Sequence, residues 1–123
     1  MKDLLYPELS YEIIGAAMEV HRILGSGFLE KVYENSLIVL FNKKQITAKQ
    51  QHQIPVYFKN NKVGHYVADI IVDDKIILEL KTVEKIANIH VAQVLNYLKA
   101  TEKRLGIIIN FKGQSLEYKR VVL

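Results

Sequence analysis

Residues 67–81 read VADIIVDDKIILELK, and this pattern decides the architecture. Two apolar runs, Ile70–Val72 and Ile76–Leu78, flank Asp73-Asp74-Lys75, which makes them two strands joined by a tight polar loop. Ile76, Ile77 and Leu78 are apolar on both faces, so their strand is expected at the centre of a sheet and not at its edge. Alternation puts Val67, Asp69 and Ile71 on one face of the first strand, and Ile77, Glu79 and Lys81 on one face of the second. Both faces place charge among β-branched residues of a sheet that should be covered. A buried carboxylate is costly and calls for a partner, a proton or a metal.

Register sharpens the point. Asp69 and Glu79 share a side only if their pairing is centred on residue 74, which requires the odd loop Asp73-Asp74-Lys75. A two-residue turn at Asp73-Asp74 would send the acids to opposite faces. The odd loop is predicted, together with a bulge. Two nearly opposed carboxylates repel, and Lys81 supplies one compensating charge. A plain ion pair of Lys81 with Glu79 or Asp69, at the frayed end of the sheet, would use the same residues without any chemistry.

Outward from this hairpin, Gln50 to Phe58 alternates as a strand, Lys59–Lys62 reads as a turn, and the two central strands run over Val63–Val72 and Lys75–Lys81. Ser10 to Leu24 is an amphipathic helix with Ile13, Ile14, Ala17, Val20 and Leu24 on its apolar stripe, ended by Gly25-Ser26-Gly27. His21 falls on the same stripe, where a histidine is a hydrogen-bonded core residue more often than a ligand. A second helix, Leu29 to Asn42, buries Tyr33, Leu37, Leu40 and Phe41. Beyond the hairpin, helical spacing returns over Asn88–Thr101, followed by a buried strand Leu105–Asn110 and an alternating strand Ser115–Val121. The order α-α-β-β-β-α-β-β describes an α/β chain (α+β, with a mixed sheet flanked by helices), expected as a single domain over residues 1–123.

Composition narrows the function. Half of the 123 residues are apolar and 24% are charged, an ordinary globular balance. With no cysteine, disulfides and thiolate zinc sites are excluded, and His52, His65 and His90 show no ligand spacing. No apolar run approaches the length of a membrane span and no secretion leader is evident, so a cytoplasmic protein without membrane contact is expected. The net charge of +4 is unevenly spread: residues 1–98 carry 11 basic and 11 acidic groups, whereas residues 99–123 carry six basic against two acidic. Lys43, Lys44, Lys49, Lys59 and Lys62 form a second basic run, while Asp69, Asp73, Asp74 and Glu79 gather the acids. A basic surface with an acidic focus suits a polyanion held near a metal.

These residues meet a known pattern. Asp69, nine intervening residues, then Glu79-Leu80-Lys81 resembles the D…(D/E)-x-K signature of PD-(D/E)XK nucleases, whose restriction-endonuclease-like core has the element order deduced above. Gln93 and Tyr97 are similar to the Q-x3-Y element of RecB-type members, and Gly27-Phe-Leu-Glu30-Lys-Val-Tyr33 resembles the motif of the GxxExxY family. The likeness covers roughly residues 8 to 112. It departs at Ala68, where proline is frequent, and at Val67, where a basic residue is common.

The resemblance implies a nuclease that hydrolyses phosphodiester bonds, in DNA ahead of RNA, with Mg²⁺ or Mn²⁺ as cofactor. Asp69 and Glu79 would be anionic ligands, the Leu80 carbonyl a third, and Glu30 a further one from the second helix. Lys81 would orient the attacking water and offset developing charge. Gln93 and Tyr97, four residues apart with His90 on the same stripe, would position nucleic acid or the nucleophile. Tyr33 would contact a phosphate or Glu30, or serve as a core aromatic on the stripe of Leu37 and Leu40. A homodimer is compatible with so small a gripping face. The alternative is a catalytically inactive nucleic-acid-binding or regulatory module on the same fold.

Overall fold

The computed structural model describes residues 5–123. Residues 1–4, on which part of the N-terminal leader reading rests, lie outside the described residues. Helices α1 (Pro7–Leu24) and α2 (Glu30–Lys43) precede strands β1 (Ala48–Phe58), β2 (Asn61–Val72) and β3 (Ile76–Lys81); α3 (Asn88–Thr101), β4 (Leu105–Asn110) and β5 (Glu117–Val122) follow. The five strands lie in sequence order, β1-β2-β3-β4-β5. Neighbours are antiparallel except β3 and β4, which run parallel with α3 as the crossover. Mixed α and β elements around a central β3 are what the apolar pattern of residues 76–78 predicts. Among the described residues no helix is long and apolar enough to cross a membrane.

Pleat parity divides the core into two layers. Ile70, Val72, Ile76, Leu78, Leu80, Leu105, Ile107 and Ile109 face α1 and α2, where Ile13, Ala17, Leu37 and Phe41 close the layer. Ile71, Ile77 and Ile108 face α3, against Val94, Tyr97 and Leu98. Helix α3 approaches β4 so closely that a Cβ on Gly106 would overlap the Val94 side chain. Between α1 and α2, Gly25 (φ 72°) and Gly27 (φ 109°) take left-handed backbone that other residues adopt with strain. His21 is a core residue, its Nε2 2.9 Å from the Gly113 carbonyl oxygen.

The β2–β3 pairing runs Ile70↔Leu78, Ile71↔Ile77 and Val72↔Ile76, a register centred on residue 74. The loop is Asp73-Asp74-Lys75, turned by left-handed φ values of 53° at Asp73 and 54° at Asp74 and closed by Lys75 N donating to the Val72 carbonyl at 2.9 Å. Aspartate tolerates that conformation better than most residues. The expected bulge is not in this hairpin, because two consecutive left-handed residues turn the chain without one. A register shift occurs instead between Val56 and Tyr57 of β1. The β1–β2 turn is also tighter than expected: Lys59 (φ 47°) and Asn60 (φ 66°) make a two-residue hairpin, so β2 begins at Asn61.

A further irregularity lies opposite the acids. Pairing of β1 with β2 continues from Gln50↔Ile70 to His52↔Ala68, and the intervening residue Gln51 has φ 54°. Across this point the ribbon swivels. Ala48 and Ile70 pack with the α1–α2 layer, whereas Ile54 and Ala68, at the same strand parity, pack with α3. The distal ribbon therefore lies against α3 instead of extending the sheet flatly.

Candidate active site

Regular pairing of β2 and β3 ends at Ile70↔Leu78, one residue short of Asp69 and Glu79. Beyond it, carboxylates take over from the backbone. The Asp69 amide donates to Glu79 Oε1 at 3.1 Å, and the Leu80 amide donates to Asp69 Oδ2 at 2.7 Å. The two strands fork, and the two acids stand across the fork from each other. Each thus commits one oxygen to a backbone N–H, leaving Asp69 Oδ1 and Glu79 Oε2 for other work.

The electrostatics of this fork are unfavourable for charge. Glu79 is 5% exposed. Burial, and next the neighbouring Asp69 charge, push its carboxyl up to about 7, against the hydrogen bond from the Asp69 amide and the Lys81 charge. Burial also raises Asp69, opposed by its bond from Leu80 N and reinforced by Glu34 and Glu30. Lys81 Nζ lies 3.9 Å from Glu79 Oε2 and donates to Gln93 Oε1 at 3.4 Å. One ammonium does not balance the acids gathered here.

The predicted residues separate into those the fold brings together and those it does not. Asp69, Glu79, Lys81, Gln93 and Tyr97 meet on the α3 side of the sheet. Tyr97 is buried, and its phenol is pushed up to about 12, by burial first and then by the Glu79 and Asp69 charges. Glu30 sits over the end of β3, where its Oε2 accepts from Thr82 N at 3.1 Å and Thr82 Oγ1 at 3.4 Å. The Leu80 side chain lies in the opposite layer, and its amide serves Asp69. His90 Nδ1 accepts from Ala87 N at 2.9 Å and so caps the start of α3.

Tyr33 requires a correction. Its ring is fully enclosed, stacked on Phe111 with centroids 4.3 Å apart, and its hydroxyl donates to the Gly25 carbonyl at 2.6 Å. No phosphate reaches it, and Glu30 is not its partner. Tyr33 fixes the Gly25–Gly27 turn to the core and is not a substrate contact.

Two residues of the site were missed. Glu34 is 3% exposed and accepts from Lys31, Gln50 and Gln51, tying α2 to the swivel in β1 beside Asp69. Its signal was an acid on the buried side of its helix, next to Tyr33. Asn110, paired with Lys81 in the β3–β4 ladder, holds the loop that leads into α3. It donates to the Val83 carbonyl at 2.8 Å and to Glu117 Oε1 at 2.9 Å, and accepts from Val83 N at 3.0 Å. Its signal was a lone amide ending an otherwise apolar strand.

Comparison with known proteins places the family and the fold. The family model of the PD-(D/E)XK nuclease superfamily matches residues 7–121, nearly the whole chain. The chain belongs to the PD-(D/E)XK nuclease superfamily. Membership points to nuclease chemistry, and PD-(D/E)XK nucleases generally use divalent metals. The fold is also similar to a solved structure titled "Crystal structure of SSO0001", at a TM-score of 0.58 and 19% identity over 95% of this chain. The chain spans 57% of that protein's length. No curated protein matches the sequence.

The donor set fits a hard divalent cation of the kind PD-(D/E)XK enzymes use. Among the described residues no three His, Cys, Asp or Glu side chains form a group that would cage an ion alone. Two carboxylates, each with one oxygen not bound to a backbone amide, in surroundings short of positive charge, suit an ion that keeps several waters and takes phosphate oxygens as remaining ligands.

Proposed function

We propose that this chain is a metal-dependent nuclease that hydrolyses phosphodiester bonds, in DNA ahead of RNA, with Mg²⁺ or Mn²⁺ as cofactor. The observation that carries the reading is the fork in which Asp69 and Glu79 face each other beside Lys81. Asp69 and Glu79 would hold the ion, with the Leu80 carbonyl and Glu30 as further oxygen donors. When bound, the ion supplies positive charge to the scissile phosphate and acidifies the attacking water.

The chain's own groups do the rest. Lys81, kept in place by Gln93, orients the water for in-line attack and offsets charge on the phosphoryl oxygens. As the water oxygen bonds to phosphorus and gives up a proton to solvent, the bond to the departing sugar oxygen breaks and that oxygen takes up a proton from solvent. Gln93 and Tyr97 line the approach to the fork and would position the substrate backbone there. Asn110 and Glu117 hold the loop that aims α3 at the fork. Within the superfamily, Gly27, Glu30 and Tyr33 favour the GxxExxY family, and Gln93 with Tyr97 a RecB-type arrangement.

The test is cleavage of single- and double-stranded DNA and RNA with Mg²⁺ or Mn²⁺, beside Lys81→Ala. A loss of roughly 10²- to 10³-fold is expected, the scale of removing one group that stabilises developing charge. Equal activity in both proteins would remove the assignment. Nucleic-acid binding that persists without turnover, and without calorimetric metal binding, would establish the inactive binding module instead.

A further inference from the structure

A groove leads away from the fork between α3 and the distal β1–β2 ribbon. Its inner end, about 250 Å³, is lined by Tyr66, Ile89, Gln93, Asn96 and Tyr97, so it opens beside the Gln93 that meets Lys81. Tyr66 and Asn96 are shared with an outer end of about 530 Å³ that reaches Tyr57 and Lys99. The swivel at Gln51 creates this groove, because it brings the ribbon over α3.

The segments that form the walls carry little acid. Residues 49–68 and 88–101 contain no Asp or Glu, yet they carry Lys49, Lys59, Lys62 and Lys99 with three histidines. Glu102, just past α3, is the acid lining the far end. Of these lysines Lys99 lines the groove itself, where its ammonium offers a phosphate contact beside Tyr57 and Tyr66. The channel is also aromatic. Tyr57 is 62% and Tyr66 48% exposed, and the Tyr66 ring lies 5.7 Å from that of Tyr97.

Lysines alone would serve duplex and single strand equally, since both present phosphates. Exposed rings distinguish them: bases inside a duplex have their faces covered by neighbours, whereas unpaired bases stack on aromatic side chains. We propose that this groove binds single-stranded DNA, with bases on Tyr57 and Tyr66 and backbone along Lys99, and leads it to the fork. This deepens the hydrolytic reading, on which its destination rests, by naming an unpaired strand as the substrate class.

The test is fluorescence anisotropy with a labelled oligothymidine and a blunt duplex of the same length, in EDTA and again with Ca²⁺, which separates binding from cleavage. The single strand should bind at least about tenfold tighter. Tyr57→Ala combined with Tyr66→Leu should weaken single-strand binding at least about 30-fold, the low end for two stacked bases, and leave duplex binding unchanged. Tyr66→Trp, which keeps a platform, should restore affinity and so exclude misfolding as the cause. Lys99→Gln should lower the salt slope for the single strand by about 0.7. Equal affinity for the two nucleic acids, or a double variant that binds like the parent, overturns the proposal; so does failure to bind either, which would make the groove a protein-docking face. The two readings fail separately. Single-strand binding without hydrolysis sinks the nuclease, while duplex cleavage indifferent to the tyrosines sinks only the groove.

Discussion

Strand β3 is covered by α1 and α2 on one face and by α3 on the other, and the two coverings differ in completeness. Toward α1 and α2 it presents Ile76, Leu78 and Leu80, each at most 1% exposed. Toward α3 it passes from a fully buried Ile77, through Glu79 at 5%, to a Lys81 that is partly open. The first face is a dry core from end to end. The second is dry only where Val94 and Leu98 press on it, and it admits charge where Gln93 and Tyr97 take over. One strand thus supplies rigidity from one side and paired acids from the other, which keeps those acids on a stiff mount.

The comparison can be broken from either side. Leu78→Ala on the dry face should cost about 3–5 kcal/mol by denaturant unfolding, because it removes transfer energy and leaves a cavity between two helices and the sheet. A loss below about 1 kcal/mol would mean that this face is not the stabilising one.

On the charged face the expected signature is a pH dependence of the metal-free protein. The folded Glu79 carboxyl titrates at about 7 against an ordinary 4.5. The folded state therefore holds a proton that the unfolded state has already released between these values. Stability is full below about pH 4.5 and falls as pH rises through 7, by about 3 kcal/mol in total for this group, with Asp69 adding in the same direction. Glu79→Gln should flatten the curve, and excess Mn²⁺ should restore stability near pH 8. A stability that rises over this range in EDTA would show that the fork is not short of positive charge.

The smallest effect is expected at Tyr33→Phe, which removes the bond to the Gly25 carbonyl and keeps the stack on Phe111. About 1 kcal/mol of stability should be lost with cleavage unchanged. A large fall in activity at unchanged stability would return Tyr33 to the reacting centre.

Strand identities, the central place of β3 and the centring of its hairpin on residue 74 were legible in residues 67–81, because apolar runs and a polar triplet leave few alternatives. Helix α3 and strand β4 were legible to the residue, since their apolar spacing begins and ends sharply at Asn88, Thr101, Leu105 and Asn110. What the sequence concealed is long-range. The swivel at Gln51 comes from one left-handed residue with no glycine or proline to announce it. Glu34 becomes part of the site only through Gln50 and Gln51, sixteen and seventeen residues away. Tyr33 could have faced either way on its helix, and only its stack on Phe111, seventy-eight residues on in the same core layer, decides between core and ligand.

The fork between β2 and β3 has a practical consequence for anyone who disables this protein. Each acid acts as a splint, standing in for the missing rung of the ladder by capping an amide of the facing strand. An alanine there strips an anion and orphans a main-chain N–H in the same stroke, so a dead variant made that way confounds chemistry with scaffolding. Asparagine and glutamine retain an oxygen for the amide, and they are the cleaner knockouts.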